Sequence, residues 1–420
     1  MNQQSMAGKF LAVYGKDARI NGERISIRSA AAVRSANGMI RDQGGSKSTS
    51  SCFYAETSQG EAVLESETLD AGRLIQEADA REDDRPFRHD EPYHYTGSIC
   101  EEKSVTELKE IALDLARQFP ASGRDIQITV RERMHTQWVE STDGLHVSDS
   151  ADCLLTEIEQ GGSSYLVMED HLDPVLKVIA IREEMDAAPV QNLTEGRMRA
   201  VLSGEAVGYL LIAFWRMFTE TGYTDGSVLK GRIGQRIASD LLSLTDQASG
   251  YKCRVDSEGT VGEDVRMIRN GILTDLMTTK NEADLFEPKG NAGRTASLVR
   301  GYGIRTVPRM LKVAPGTGTN RDLIRQCTDG VYIEEIYDPF HGADIASGRF
   351  SLPCAGAKIR NGQITGRVNG LSIEGSIRDL LASIEAVGQD MIPCVLPIAE
   401  SYMCEAPAVL IRDLDIRVTP

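Results

Sequence analysis

The side chains best equipped for chemistry are six histidines and eight cysteines, and their spacing decides what they can do. His89, His94, His135, His146, His171 and His341 form no HExxH and no His-x-His cluster beside carboxylates, the patterns that bring imidazoles to one metal. His135 and His146 flank an expected hairpin and could in principle approach one metal together with Cys153, but exposed or satisfied strand histidines are the better account of them. Cys52, Cys100, Cys153, Cys253, Cys327, Cys354, Cys394 and Cys404 contain no CxxC pair and no disulfide-framework spacing. Reduced thiols in a cytoplasm are the expectation. Nothing adjacent to Cys394 in the sequence would activate it as a nucleophile.

Other motifs point away from common chemistries. Gly301, Gly303, Gly316 and Gly318 lie in RGYGIRTVPRM and APGTGTNRD, which lack both the Lys-Ser/Thr ending of a P-loop and the strand-GxGxxG-helix setting of a dinucleotide site. Turn chemistry explains them. No GxSxG occurs, and Ser203 in SGEAVG suits a helix cap better than a nucleophile.

Two α+β halves are expected to carry these residues, residues 1–185 and residues 190–420. From Ala18 to Ser58 short β-prone runs are punctuated by Asn-Gly and Gly-Gly, which predicts hairpin strands of an antiparallel sheet. A short helix is expected over Leu69–Ala80. A capping box of Ser104 and Glu107 opens a second, with Leu108, Ile111, Ala112 and Leu115 on one face and Pro120 as its stop. DIQITVRERMHTQWVESTDGLHVSD and CLLTEIEQGGSSYLVMED read as further strands crossed by that helix. The polar stretch REEMDAAPVQNLTEGR marks the boundary. Beyond it, a helix over Ala206–Thr219 precedes many short strands with Asn-Gly turns at 270, 361 and 369, a helix near Ile377–Val387 and a last strand, AVLIRDLDIRV. This second half is expected to be mostly β.

The helix near Leu210 is apolar around most of its circumference. Val207, Leu210, Leu211, Phe214 and Phe218 form one stripe, with Ile212, Ala213, Trp215 and Met217 opposite, so it belongs in a core. Ser203 is its expected N-cap, Glu205 complements the positive end, and Gly222 suits the stop. About thirteen mainly apolar residues fall short of the roughly 20 needed to span a bilayer. The N-terminus shows no signal-peptide pattern. A net charge of −16 without a dense basic run disfavours a nucleic-acid partner.

The ordered segments AVLSGEAVGYLL, GSVLKGRIGQRIASDLLSLTD, VDSEGTVGEDVRMIRNGILTDLMTTKNEA, GNAGR and IRNGQITGRVNGLSIEGSIRDLLASIEAVGQD resemble the TldD/TldE (PmbA) metallopeptidase family over residues 190–420. In the TldD branch this helix bears HExxxH, whose histidines hold zinc with a C-terminal cysteine while the glutamate handles the proton of the attacking water. The resemblance puts Ile212 and Met217 at the histidine positions and Ala213 at the glutamate position. Histidines five residues apart stand about 140° apart on a regular helix, so that turn has to distort for them to converge. Cys394 falls near the cysteine-ligand position, Glu220 where many members carry an acid, and Asn291 and Arg294 in a segment close to the peptide cavity. What the resemblance implies is a non-catalytic TldE/PmbA-like subunit with no cofactor, paired with an HExxxH-bearing partner around an extended peptide, without nucleic acid or membrane. The alternative is an autonomous homodimer that binds a peptide or small molecule, as a carrier or as an enzyme whose chemistry does not use zinc, with Ile212, Trp215 and Met217 lining an apolar pocket.

Overall fold

A computed structural model describes residues 3–81, 87–119, 124–168, 172–248, 251–280, 295–299, 303–395 and 403–418. They form two compact units. The first comprises Met1–Glu169, Ala248–Glu263 and Thr278–Val307; the second comprises Asp170–Gln247, Asp264–Met277 and Pro308–Pro420. The class is α+β.

In the first unit, helix α1 (Gln3–Tyr14) precedes strands β1 (Ala18–Arg34), β2 (Ile40–Thr57) and β3 (Glu61–Glu65), then α2 (Ala71–Asp79), β4 (Tyr93–Thr96) and α3 (Val105–Gln118). Strands β5 (Ile126–Ser141), β6 (Leu145–Gln160) and β7 (Ser163–Met168) complete a sheet ordered β3-β2-β1-β5-β6-β4, with β7 also on β6. All pairings are antiparallel except β4 with β6. Helix α3 packs across β1, β2 and β5, started by the expected capping box of Ser104 and Glu107. Pro120 lies outside the described residues.

The punctuation in the first strands needs correction. Asn21-Gly22 and Gly44-Gly45 lie inside two long strands, and the turn falls at Asn37-Gly38 instead. Gly22 stands opposite Trp138, and a Cβ there would sit 2.3 Å from the indole ring, so the glycine is required by cross-strand packing. Asn21 donates to the Ser257 carbonyl at 2.6 Å and accepts from Gln137 at 3.1 Å. Both polar side chains are buried inside the unit and satisfied there.

The same segment makes a second buried polar contact. The Cys253 backbone N–H donates to His135 Nδ1 at 3.1 Å, so the imidazole proton sits on Nε2, 2.8 Å from Glu23. His135 is therefore neutral, and burial pushes its pKa below the usual value despite the opposing pull of Glu23; Arg133 and Lys252 add to the lowering.

In the second unit, α4 (Leu172–Ala187) leads into β8 (Gly196–Leu202), helix α5 (Gly204–Phe214) and α6 (Glu220–Thr224). Strands β9 (Leu244–Asp246), β10 (Val265–Arg269) and β11 (Ile272–Leu273) follow, before the hairpin β12 (Ala296–Val299) and β13 (Gly303–Thr306), which belongs to the first unit. Then come β14 (Leu311–Val313), α7 (Asn320–Cys327), β15 (Gly330–Ile336), β16 (Arg349–Arg360), β17 (Gln363–Val368), β18 (Leu371–Ser376), α8 (Ile377–Ala382), β19 (Ile384–Val395) and β20 (Met403–Val418). The Asn-Gly turns sit where expected: Asn270 and Asn361 adopt positive φ, as does Gly370. The last helix is shorter than expected and stops at Ala382. Residues from Ile384 onward instead pair with β20 as a strand. Because β8 bonds both β15 and β20, the strands β20-β18-β16-β15-β8 close into a ring.

Acid should loosen the first unit. The unfolded chain takes up a proton on His135 near pH 6.5 while the folded chain resists it, so stability is lost as pH falls below that value, by up to about 1.4 kcal/mol per pH unit. Denaturant midpoints from pH 7.5 to 5 should fall less steeply for His135→Asn than for the native chain. Equal slopes would show that this histidine does not carry the effect.

Candidate functional site

The site is built on α5, which follows directly from β8 of the closed ring. Ser203 caps it as expected, accepting from the Ala206 N–H at 3.0 Å. Its hydroxyl also donates to the Glu334 carbonyl, and its backbone N–H donates to the Ile333 carbonyl at 2.9 Å. The register of β15 against β16 shifts between Ile333 and Glu335, so a β-bulge supplies the carbonyl to which the helix start is fixed.

The next turn depends on two missing side chains. A Cβ on Gly204 would lie 2.3 Å from the Ala406 carbonyl oxygen, and one on Gly208 would lie 2.7 Å from Cys394 Cβ and 3.0 Å from Cys404 Sγ. Glycines four residues apart thus let the β19–β20 hairpin close on the helix. Ile212 is four residues further along that face.

The helix is not one continuous α-helix to Thr219. It ends at Phe214, where φ is −115° and ψ is 0°, and Trp215–Phe218 tighten into a 3₁₀ turn. The stretch spanning Ile212, Ala213 and Met217 is therefore distorted even though it carries no ligand. Thr219 then starts the short α6, accepting from the Gly222 N–H and donating to the Arg216 carbonyl. Gly222 is not the stop of α5: it lies within α6, and a Cβ there would strike the Arg216 carbonyl oxygen.

Ile212, Trp215, Met217 and Glu220 are all buried, and Ala213 is half-buried. Asn291 and Arg294 lie outside the described residues. An apolar cavity of about 40 Å³ under α5 is lined by Val207, Leu210, Phe214, Met217, Ile377 and Leu380, among others. Of the three residues expected around a ligand pocket, only Met217 lines it. It is far below the several hundred Å³ of ordinary ligand pockets.

Around the start of α5 the structure gathers ionisable groups that the sequence reading did not assemble. Cys394 pairs directly with Cys404 across β19 and β20, and the Cys404 thiol donates to the Cys394 carbonyl at 3.6 Å. The Cys394 thiol is pushed well above its usual pKa by the Cys404 hydrogen bond and by burial, with Glu205 and Glu335 adding to the rise. Glu205, expected only to complement the helix dipole, is half-buried and pushed up to about 8 by burial and by Glu335 and Glu334. Glu334 itself pairs with Arg182 at 2.6 Å. Tyr209 is raised as well, chiefly by burial and then by Cys394 and Glu205.

A structural or catalytic divalent metal needs three or four lone-pair donors. The side chains at 212, 213 and 217 offer a hydrocarbon, a methyl group and a thioether, and the Cys394 thiol holds its proton. This set does not fit a zinc site. Among the described residues, Asp17, His89 and Asp143 are the group whose potential ligand atoms lie within 4.8 Å of one another. His89 there already bonds Asp143 through Nδ1 at 3.1 Å and faces Asp17 with Nε2. His146 is bonded to Glu140 and stacked on His94, and His135 is held by Glu23 and Cys253, so the expected alternative of a shared metal with Cys153 is not formed.

A family model described as the PmbA/TldA metallopeptidase C-terminal domain matches residues 195–418, which contain the whole helix and its hairpin. The chain belongs to the PmbA/TldD metallopeptidase family. A metalloprotease of Methanothermobacter thermautotrophicus is 28% identical over 174 residues, 39% of this chain and 36% of that one. A metalloprotease TldD homolog of Buchnera aphidicola is 30% identical over 175 residues, 39% of this chain and 35% of that one. The matched stretch thus spans about a third of the length of these curated relatives, and others that match carry the PmbA name. The crystal structure of TldE from Thermococcus kodakarensis shares the fold with a TM-score of 0.77 at 16% identity, over 99% of this chain and 100% of that one. Among the described residues, no helix of this PmbA/TldD family member is long and apolar enough to cross a membrane.

Two substitutions test the geometry. Gly208→Ala gains about 1 kcal/mol of helix propensity, but its Cβ meets a strand-anchored Cβ rather than a flexible tip. Overpacking of roughly 1–3 kcal/mol should win, giving a net loss on denaturant unfolding; a more stable variant would show that the hairpin yields freely. Glu205 has a raised pKa in the fold, so its favourable contribution is present below the unfolded value near 4.3 and lost as pH rises through about 8. The unfolding midpoint of Glu205→Gln should therefore vary less between pH 5 and 9, and an unchanged profile would assign the titration elsewhere.

Proposed function

We propose that this chain is a non-catalytic, TldE/PmbA-like subunit of a peptide-processing metallopeptidase, acting beside an HExxxH-bearing partner. One observation carries the reading. Helix α5 has its cap, glycine face and distorted turn where the resemblance places the catalytic helix, while the side chains at 212, 213 and 217 offer zinc no nitrogen, oxygen or thiolate ligand and accept no proton from water. Cys394, near the position of the cysteine ligand, is buried against Cys404 and held protonated, which suits a packing role. The role left to the chain is to complete the partner's peptide channel, with an extended peptide read through its backbone.

The alternative of an autonomous ligand-binding homodimer draws no support from the cavity beneath α5, which is too small for an organic ligand.

Purified alone, the chain should hold well under one equivalent of zinc by elemental analysis and show no peptide hydrolysis above buffer. Co-expressed with a TldD-type partner, it should co-elute as a heteromer with metal-dependent peptidase activity, and a Cys394→Ser variant should leave that metal content unchanged. Stoichiometric zinc with robust hydrolysis by the chain alone would refute the proposal.

A further inference from the structure

A second cleft in the same unit, of about 550 Å³, is lined by Arg236, Arg378 and Arg412, with Asp240, Asp379 and Ile384 among its other walls. The arginines come from three separate places in the chain: the turn-rich segment after α6, helix α8 and strand β20. Arg378 is half-buried; Arg236 and Arg412 are exposed. Among the described residues none of the three guanidinium groups is in an ion pair, and Arg236 uses one N–H on the Asn270 carbonyl at 3.2 Å. Asp240 and Asp379 line the same cleft without pairing with them. In a chain whose formal charge is −16, three guanidinium groups converging on one concavity without a carboxylate partner leave a marked local excess of donors.

The charges select the ligand. Three arginines and two aspartates leave 3 − 2 = +1 on the lining, which matches a monoanion better than a phosphate dianion. A planar carboxylate suits the guanidinium fork, which can donate two parallel N–H bonds to it. The aspartates offer acceptors to N–H groups of the same ligand, and Ile384 with Ala382 offers apolar surface to a small side chain. Its volume falls within the several-hundred-Å³ range of sites for small organic molecules.

We propose that this cleft binds the free C-terminal carboxylate of a peptide, with Arg378 and Arg412 as the principal donors. That the ligand is a peptide rests on the peptide-processing reading above; that it is a carboxylate rests on the lining alone. The three arginines hold the chain end, and the carboxylate undergoes no chemistry there.

Calorimetric titration of the full chain tests this with acetyl-trialanine as the free acid, the same peptide as its C-terminal amide, and inorganic phosphate. The acid should bind at least about tenfold tighter than the amide, the scale of a lost charge-assisted pair. Arg378→Gln combined with Arg412→Gln should remove that preference while leaving the thermal unfolding midpoint in place. Equal binding of acid and amide, no binding of the acid, or a preference that survives the double substitution would overturn the proposal, as would phosphate binding tighter than the acid. The measurement needs neither zinc nor a partner. Failure here therefore leaves the silent-subunit reading standing, and a zinc-loaded, active chain would leave the cleft assignment standing.

Discussion

The close approach of helix α5 to the β19–β20 hairpin is the constraint on which the rest of the second unit turns. Two glycines on one helical face remove the side chains that would hold the hairpin away, by distances too short for any Cβ to tolerate. The cost of glycine in a helix, about 1 kcal/mol each, is offset by burial of the hairpin's Ile392, Cys394, Cys404 and Ala406. At the other end of the same turn, Ser203 fixes the helix start to a bulged carbonyl of β15. The helix is thus fastened to both a strand and a hairpin of the closed ring before its apolar stripe meets the core.

That arrangement also accounts for the tightened turn at 215–218. Trp215, Met217 and Phe218 are all buried, and the Phe218 and Met277 backbones are bonded at 2.8 Å. The distortion is therefore held by packing and backbone bonds of this chain. With Ile212, Ala213 and Met217 in place the segment is apolar, and Ile212 and Met217 are buried in the core.

The electrostatics of the helix start are a by-product of the same closeness. Glu205, Glu334 and Glu335 come together because a helix N-terminus is bolted to a bulged strand carrying two consecutive acids. Arg182 and Arg367 answer Glu334, while Glu205 responds by holding its proton to higher pH. The thiol of Cys394, bonded to Cys404 and buried, is hard to ionise, and Glu205 adds to that.

The sequence by itself determined the local features whose causes are local. The caps at Ser104 and Ser203, the Asn-Gly turns at 270, 361 and 369, the burial of the apolar helix and the absence of donors at 212, 213 and 217 all follow from side chains within a few residues of one another. Tertiary structure alone decided the rest. Asn21-Gly22 became mid-strand because an indole from β5 lies over it, and the residues after Ala382 became a strand because β20 offered a partner. Segments 248–263 and 278–307 returned to the first unit, where contacts such as Cys253 to His135 and Asn21 to Ser257 span more than a hundred residues. The pairing of Cys394 with Cys404 and the meeting of three arginines in one cleft have the same origin. Neither leaves a mark in spacing, because the residues that converge are set by strand register and helix packing rather than by neighbours along the chain.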